Sequence, residues 1–594
     1  MRKILSFSAL LLMSFALHSQ NLPIFKIYTY HTGKFDQGGT EVHAYDPLSK
    51  RLFSTNAAEG KMDIIRLGDL SKPGLIAQID LSPYGGQVNS IAVQGNNVAV
   101  ALQAGFPQSD GKVVFFDTNG TYLNQLVVGP MPDMLTFSPS LQHLIVANEG
   151  EPSDDYITDP AGSISIINFS GGRSDNLTQA DVQTVRFTRY DTMPYDPKIN
   201  IYGNNGSASF SEDVEPEYIA FNSNGTKAYV SLQENNALAI IDVYTATLDT
   251  IVGLGYKNYN LTGNGLDASD QSSGIKIQNH FNLFGMYQPD AICFYSDGSG
   301  SYLFSANEGD ARDYSAYSEE ERINNVNLNP IIFNSPSTLQ NDTVLGRLKV
   351  TTTLGNYNNQ FIHDSLFTFG TRSFSVWDTD GNLIWDSGDE FEQTLALLHP
   401  NEFNSNNDDN SSFKSRSDDK GPEPEAICTG SVLGHNYAFI GLERMGGIMI
   451  YNIDNPSQPV FDSYILDRDF SVPASDSAAG DLGPEFLSFI SPANSPNGQP
   501  LLVASNEVSG TLSIYQLGSG FSLNEIQKEA LQAYPNPSTG PVQFSRSTSF
   551  KLYNTQGQFV ADYKDVQSVD LSAFADGYYI LRSTDGGSLR ILKK

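Results

Sequence analysis

A short repeat constrains the fold of this chain more than any other feature. Each copy begins with an acid, usually after proline, that opens a β-rich run, and a second β-rich run then ends in an acid or amide. The clearest copies are Met131-Pro132-Asp133 with Asn148-Glu149, Glu215-Pro216-Glu217 with Gln233-Glu234, Gln288-Pro289-Asp290 with Asn307-Glu308, Glu423-Pro424-Glu425 with Leu442-Glu443, and Gly483-Pro484-Glu485 with Asn506-Glu507. Weaker copies at Glu41 with Asn56 and at Asn89 with Gln103 bring the number to seven.

The copy that begins at Pro216 shows what one unit contains. Residues 216–221, 228–234 and 237–243 are β-rich runs separated by Asn and Gly turns, which predicts a three-stranded meander. Such a sheet cannot bury both faces alone, and stacking around an axis is the usual solution. We therefore predict an all-β protein with a seven-bladed β-propeller. Residues 24–30 are expected to complete the last blade, and residues 346–350 to form the third strand of the irregular fifth unit.

The chain is predicted to have four parts. Arg2-Lys3, an apolar run over 4–17 and Ser19 are typical of a secretory signal peptide, assigned to residues 1–19. No second apolar stretch is long enough to span a bilayer, so no transmembrane span is expected in the mature protein. The propeller is assigned to residues 20–517, a linker to 518–532 and a small C-terminal β-sandwich to 533–594.

The C-terminal region carries two distinctive motifs. It opens with Tyr534-Pro-Asn-Pro-Ser-Thr-Gly540 and later contains Asp576-Gly-Tyr-Tyr-Ile-Leu581. These stretches resemble the type A C-terminal sorting domain of the type IX secretion system of Bacteroidota. The resemblance implies contact with that secretion machinery, export across the outer membrane, removal of the tail, and attachment to the cell surface or release. An ordinary small β-sandwich adhesion module is the alternative.

The net charge limits the kinds of partner that this chain can bind, and the number of cysteines limits the disulfides that it can form. The formal net charge of -32 argues against nucleic acid and anionic membranes and suits a protein that binds cations. The two cysteines, Cys293 and Cys428, occupy the same repeat position in neighbouring units. Two small buried thiols are favoured over a disulfide.

The acids of the repeat are predicted to gather at one mouth of the central channel. The acid that opens the first strand and the acid that ends the second lie at the same end of an antiparallel pair, and first strands line the channel of a propeller. The predicted ring contains Glu41, Asp133, Glu149, Glu217, Glu234, Asp290, Glu308, Glu425, Glu443, Glu485 and Glu507, with Asn56, Asn89 and Gln103 in the remaining positions.

Two interpretations of this ring stay open. The acids accept hydrogen bonds from backbone amides of the next blade and so lock the blades together, or they bind divalent metal. Oxygen ligands without a zinc-type histidine spacing favour Ca²⁺ or Mg²⁺, and we expect Ca²⁺. Ring acids other than Glu41 are the candidate ligands, together with Asp310, because Asn307-Glu-Gly-Asp310 parallels Asn148-Glu-Gly-Glu151. The cations Arg312, Lys420 and Arg444 are candidate phosphate contacts, or else counter-charges on an acidic face.

Several segments resemble one family along most of the mature chain. Residues 147–154, 284–290, 306–313, 369–374 and 418–425 resemble the choice-of-anchor I family of secreted β-propellers. Some relatives are labelled alkaline phosphatases, and the family is similar to mesenchyme-specific cell-surface glycoproteins of biomineralising animals. The resemblance implies a secreted propeller and supplies no catalytic set.

Two functions follow from these observations. One is a Ca²⁺-binding surface platform for a glycan, mineral or phosphate-bearing ligand. The other is a Ca²⁺-dependent phosphomonoesterase, in which metal ions polarise the phosphoryl group. The sequence shows no serine-hydrolase elbow, Walker loop or Ser-x-x-Lys set, and no nucleophile stands out. The platform is therefore favoured, and catalysis remains the alternative.

Overall fold

Seven four-stranded antiparallel sheets form the framework of the part of the chain that the structure describes. The computed structural model describes residues 21–169, 172–356, 361–518, 532–555, 557–583 and 588–594. The predicted signal peptide lies outside these residues, as does nearly all of the predicted linker. We number the sheets 1 to 7 in chain order.

Each sheet is antiparallel, and five of the seven are up-and-down meanders of consecutive strands. Sheet 1 contains His43–Asp46, Arg51–Asn56, Lys61–Arg66 and Gly74–Asp80, and sheet 2 contains Val88–Gln94, Asn97–Leu102, Asp110–Phe116 and Tyr122–Pro130. Sheet 3 contains Pro132–Phe137, His143–Asn148, Ser163–Asn168 and Val182–Arg186. Sheet 4 contains Pro216–Phe221, Lys227–Leu232, Ala237–Asp242 and Thr247–Gly253. Sheet 5 contains Ile292–Ser296, Ser301–Ala306, Phe374–Asp378 and Leu383–Asp386. Sheet 6 contains Pro424–Val432, His435–Leu442, Ile448–Asn452 and Val460–Ile465. Sheet 7 contains Pro484–Ile490, Leu501–Asn506, Thr511–Leu517 and, as its outermost strand, Ile24–His31.

The sheets close into a ring, which is the arrangement of a β-propeller. The first strand of each sheet contacts the first strand of the next, and the first strand of sheet 7 contacts that of sheet 1. Ile24–His31 pairs antiparallel with Thr511–Leu517, with Tyr28 opposite Ile514. The prediction that residues 24–30 complete the last sheet is confirmed, so the two ends of the ring are joined within one sheet.

The predicted meander lacked the fourth strand of sheets 1 to 4 and of sheet 6. These outermost strands are only partly buried, as Gly74–Asp80 and Val182–Arg186 illustrate. Their sequences are correspondingly polar and carry a weaker β signal than the inner strands, because a strand at the rim buries little apolar surface.

The predicted third strand of the fifth unit is wrong. Lys349–Thr351 pairs with Glu320–Arg322 in a small separate sheet, and the third strand of sheet 5 is Phe374–Asp378. That strand continues through the turn at Gly381, whose φ is 80°, into Leu383–Asp386. A long insertion between the second and third strands explains the error, because it places a second β-rich run nearer in sequence.

Insertions carry the remaining elements. The small sheets pair Tyr256–Asn258, Leu283–Met286 and Leu366–Thr368, and separately Asp313–Tyr314 with Tyr317–Ser318. Helical segments in the described residues are Gly203–Gly206, Phe210–Asp213, Pro336–Leu339 and Glu390–Leu398, with 3-10 turns at Ala57–Glu59, Ser174–Asn176, Gln179–Asp181, Thr188–Asp191, Ile323–Asn325 and Ser477–Ala479. Of the helices described, none has the length and apolar character needed to cross a membrane.

The core consists of apolar layers between neighbouring sheets. Between sheets 3 and 4, for example, Ile145, Ile164, Val230 and Ile241 are almost fully buried. Inner strands have both faces covered, so their sequences are nearly continuous apolar runs.

The cysteines lie in the first strands of sheets 5 and 6, and the structure records both as free. Burial raises the pKa of the Cys293 thiol to about 12, so it is not thiolate at neutral pH. This agrees with the preference for free thiols over a disulfide.

The C-terminal region has its own core. Ala533–Tyr534, Pro541–Asn554, Phe559–Asp570, Gly577–Ser583 and Ser588–Lys593 are hydrogen-bonded into one five-stranded sheet. The long strand Pro541–Asn554 shifts register between Gln543 and Thr548, and Phe550, Leu552 and Leu581 are buried. The region predicted as a β-sandwich is therefore a single hydrogen-bonded sheet with an apolar core.

Removing the buried aromatic side chain of Phe374, in the third strand of sheet 5, should lower the stability of the propeller. Phe374 is completely buried, 4.7 Å from Tyr451 and 5.1 Å from Trp385 between ring centroids. We expect Phe374→Ala to lower the free energy of unfolding by about 3–5 kcal/mol, measured by urea denaturation. Phe361→Ala, at a side chain that is 77% exposed, is the control and should change it by less than about 0.5 kcal/mol. Equal effects would contradict this placement of the third strand.

Candidate cation site at the channel mouth

The first strands are bulged where their acids lie. The strand register slips between Pro132 and Leu135 in sheet 3, between Pro216 and Ile219 in sheet 4, and at the same repeat position in sheets 6 and 7. Proline cannot donate to the sheet, and a bulge leaves a residue unpaired and redirects its side chain. The repeated proline-acid step therefore turns one carboxylate per sheet out of the regular pairing.

In sheets 3, 6 and 7 the residue before the proline holds the second acid of the repeat in place. Met131, Gln288 and Glu423 have left-handed φ values of 45, 41 and 51°, which side-chain-bearing residues seldom adopt, and Gly483 has 67°. The carbonyls of Met131, Glu423 and Gly483 accept hydrogen bonds from the backbone N–H of Glu149, Glu443 and Glu507 at 3.0, 2.8 and 2.7 Å. The acid-bearing ends of the first two strands are thereby fixed together, at some cost in backbone strain.

A cavity of about 310 Å³ opens among these acids. Six carboxylates line it: Glu41, Asp133, Glu149, Glu151, Asp290 and Glu485. Tyr218 and Phe486, whose rings stack at 6.3 Å, also line it, together with the amides of Gln87, Asn89 and Gln103. Among the described residues, no lysine or arginine lines this cavity.

Two further ring acids lie behind the cavity with unsatisfied oxygens. Glu217 and Glu234 are buried, and within the described part of the chain the Oε2 atom of each has no hydrogen-bond partner. A buried carboxylate oxygen without a partner costs free energy unless it is protonated or meets a cation.

Burial and mutual repulsion raise the pKa values around the ring. Burial, then Glu507 and Asp133, raises the pKa of Glu41 to about 8. Burial raises the pKa of Asp133 to about 6. The carboxyls of Glu149 and Glu217 have pKa values well above the usual range, first because of burial and then because of neighbouring acids. Full ionisation of this part of the ring therefore requires a compensating positive charge.

Beside the acids of sheets 5 and 6, lysine and arginine side chains of the chain itself supply positive charge. Glu423 is fully buried, and its carboxylate pairs with Arg416 at 2.6 Å, Arg444 at 2.9 Å and Lys420 at 3.4 Å. Burial alone would raise the pKa of Glu423, yet the three cations hold it well below the usual range. Lys420 also pairs with Glu308 at 2.5 Å. Glu423 and Glu308 are thus paired with cations of the chain itself, whereas burial and neighbouring acids keep the pKa of Glu425 well above the usual range.

The third predicted phosphate contact is enclosed. The Arg312 guanidinium has no exposed surface and pairs with Asp213 at 2.7 Å and with Glu319 at 3.3 Å. It also donates to the backbone carbonyl of Glu234 at 3.4 Å. Arg312, Lys420 and Arg444 are therefore all paired with carboxylates, and Arg444 contacts Glu423 and, at 3.1 Å, Glu443.

The structure also places acids at the site that the ring prediction omitted. Glu151 lines the cavity, and Glu215 and Glu423 are buried beside ring acids. The sequence could have predicted the last two, because each Glu-Pro-Glu step contains two acids and the predicted ring included only the second. Arg416 carries no repeat signal, because it comes from an insertion.

Loops of sheets 3 and 5 meet near the site. Ser315 donates its backbone N–H to Asp154 Oδ1 at 2.8 Å, and the ring centroids of Tyr156 and Tyr314 are 5.2 Å apart. The nearby acids Glu215, Glu151 and Glu234 help to raise the pKa of Tyr314, after burial. The two loops that share the repeated acid-glycine-acid motif therefore adjoin the carboxylates. Asp310, in the second of these loops, is 4.0 Å from Lys420 and half exposed.

The fold and the site together define a class: an acidic, secreted β-propeller with a carboxylate ring at one channel mouth. The chain belongs to the choice-of-anchor I family, whose domain model matches residues 41–456. A secretion system C-terminal sorting domain matches residues 532–594, and this domain directs the protein through the type IX secretion system to the cell surface.

Two curated proteins from animals are similar to this chain. Gigasin-3a of Magallana gigas is 30% identical over 229 residues, which are 36% of this chain and 80% of that protein. The mesenchyme-specific cell surface glycoprotein of Strongylocentrotus purpuratus is 27% identical over 329 residues, or 48% of this chain and 41% of that protein. The chain thus matches less than half the length of the sea urchin protein.

Solved structures with a similar overall course are remote in sequence. Kuenenia stuttgartiensis hydrazine synthase aligns with a TM-score of 0.41 and 12% identity over 82% of this chain and 98% of that chain. The Myceliophteria thermophila Cps50 (Swd1) β-propeller domain aligns with a TM-score of 0.40 and 10% identity over 83% of this chain and 98% of that one.

The raised pKa values predict that alkaline pH destabilises the chelator-treated protein. In the unfolded chain glutamate ionises near pH 4.5, whereas Glu41 in the fold ionises at about 8. The stability that its protonated form contributes is present below pH 4.5 and is lost as the pH rises towards 8. We expect the melting temperature in EDTA to fall over that interval, and to fall less steeply in Glu41→Gln. A melting temperature that rises steadily from pH 5 to pH 8 would contradict this account.

Proposed function

We propose that this secreted cell-surface propeller binds Ca²⁺ at the channel mouth and uses the occupied mouth as a binding platform. The observation that carries the proposal is the cavity lined by six carboxylates and by no lysine or arginine of the described chain. Asp133, Glu149 and Glu151 are the central ligands in this proposal, because all three line the cavity and Asp133, after burial, helps to raise the pKa values of Glu149 and Glu151.

The chemistry of these groups favours a hard divalent ion. Carboxylate oxygens dominate the lining, and the neighbouring amides of Gln87, Asn89 and Gln103 supply further oxygen ligands. Ca²⁺ takes six to eight oxygen ligands in flexible geometry, which suits a ring whose members come from different sheets. The remaining predicted ligands, including Asp290, Glu485 and Glu507, add negative potential around the ion.

The same mouth is suited to a second ligand. Its cavity is open beside the proposed ion, and its lining combines amide groups with the Tyr218 and Phe486 rings. Glycan hydroxyls or mineral anions would complete the coordination of Ca²⁺ from the solvent side, while the amides supply hydrogen bonds. Attachment to the cell surface would present this mouth to external ligands.

The phosphomonoesterase draws less support from the described residues. It needs cations free to bind a phosphoryl group, and the guanidinium or ammonium groups of Arg312, Arg444 and Lys420 are all paired with carboxylates. It also needs a nucleophile, which a metal-bound water would have to supply. The platform is therefore the function we propose, and turnover is the outcome that would overturn it.

Calcium titration of the purified mature chain tests the proposal. We expect Ca²⁺ binding by isothermal titration calorimetry, weakened about tenfold or more in Glu149→Gln, which corresponds to about 1.4 kcal/mol. Asp110→Asn, at an exposed acid outside the ring, is the matched control and should bind as the natural chain does.

The same preparation should leave p-nitrophenyl phosphate intact with Ca²⁺ present. Hydrolysis that is lost on chelation and in Glu149→Gln would instead support the phosphomonoesterase. A chain that binds no Ca²⁺ at neutral pH would reduce the ring to a structural device between sheets.

A further inference from the structure

Three buried carboxylates of sheets 5 and 6 converge beside Lys420. One oxygen each from Glu308, Glu425 and Glu443 lies within 4.8 Å of the others, and all three residues are buried. Glu425 is only 7% exposed, and within the described chain its Oε2 atom has no hydrogen-bond partner. An unsatisfied buried carboxylate oxygen in such a cluster is a ligand position for a cation.

A lysine ammonium already occupies the edge of this cluster. Lys420 Nζ lies 2.5 Å from Glu308 Oε1, 2.6 Å from the Gly309 carbonyl and 3.4 Å from Glu423 Oε2. Two carboxylates and a backbone carbonyl are the oxygen types that also bind Ca²⁺. The ammonium is therefore surrounded as a metal ion would be.

The backbone around this ammonium is fixed. Gly309 has φ of 90°, and a Cβ there would approach Gly370 N to 2.0 Å, so only glycine lets the carbonyl reach Lys420. Arg372 donates to the carbonyls of Ser417 and Asp419 at 2.8 and 2.6 Å, which anchors the segment that carries the lysine. Burial would lower the pKa of Lys420, but Glu308 and Glu423 raise it well above the usual range, so the lysine stays charged.

We infer that Lys420 is a tethered cation that takes the place of a divalent ion beside Glu308, Glu423 and the Gly309 carbonyl, next to the buried carboxylates of Glu425 and Glu443. The side chain supplies this part of the ring with a positive charge when no metal is bound, and its removal leaves carboxylate and carbonyl oxygens that take Ca²⁺, with Arg444 still paired to Glu443 at 3.1 Å. The inference concerns sheets 5 and 6, and it holds whether or not Asp133 and its neighbours bind an ion.

Calcium stoichiometry tests this inference directly. We expect the full mature chain with Lys420→Met to bind one Ca²⁺ more than the natural chain, measured by elemental analysis after equilibrium dialysis. The extra ion should disappear in Lys420→Met/Glu425→Gln, and Lys420→Arg should bind as many ions as the natural chain. An unchanged stoichiometry in Lys420→Met would overturn the inference. If the natural chain binds none and Lys420→Met binds one, the inference stands and the proposed function fails.

A matched control separates this effect from general loss of positive charge. Lys349 lies in the insertion within sheet 5 and pairs with Glu320 at 2.9 Å and with Asp419, the residue before Lys420, at 3.1 Å. Lys349→Met should leave the stoichiometry unchanged. Lys420→Met should melt at a lower temperature than the natural chain in EDTA and recover in millimolar Ca²⁺, whereas Lys349→Met should show no such recovery. A Lys420→Met chain that stays unfolded with and without Ca²⁺ also overturns the inference, since an ion able to replace the ammonium would restore the fold.

Discussion

The repulsion among buried carboxylates at one channel mouth is the constraint on which the rest of the site depends. A propeller repeats its geometry around an axis, so an acid placed once per repeat is brought close to its counterparts. Bulges at the proline-acid steps and left-handed turns at Met131, Gln288 and Glu423 hold these acids against their mutual repulsion. Ile24–His31 closes the circle of seven sheets, and this closed framework keeps the acids from moving apart.

The chain meets this constraint in two ways. Around sheets 5 and 6, Arg416 and Lys420 from the segment before sheet 6 and Arg444 from the turn after its second strand neutralise Glu423. Around the cavity no such cation is present among the described residues, and the pKa values of Glu149 and Glu217 are raised well above their usual range. The difference between the two parts identifies where an external ion is needed, and it is the basis of the proposed Ca²⁺ site.

Much of this arrangement was predictable because the repeat carries it. The inner strands, the completion of sheet 7 and the gathering of the acids follow from positions such as Asp133 and Glu217, which recur in register. Features outside the repeat were not predictable. The pairing of Arg312 with Asp213 and Glu319 joins insertions far apart in sequence, and the third strand of sheet 5 is separated from the second by the long insertion. The spacing of residues in the sequence does not reveal such contacts, because the contacts depend on how the loops fold over the propeller.

A crystal structure of the mature chain grown with Ca²⁺ would test the central claim most directly. Anomalous scattering would locate the ion without reference to the carboxylate positions. Our account predicts a Ca²⁺ ion coordinated by Asp133, Glu149 and Glu151 at the cavity, and no ion at Lys420. A cavity that contains only water at saturating Ca²⁺, with the carboxylates hydrogen-bonded to one another, would contradict it.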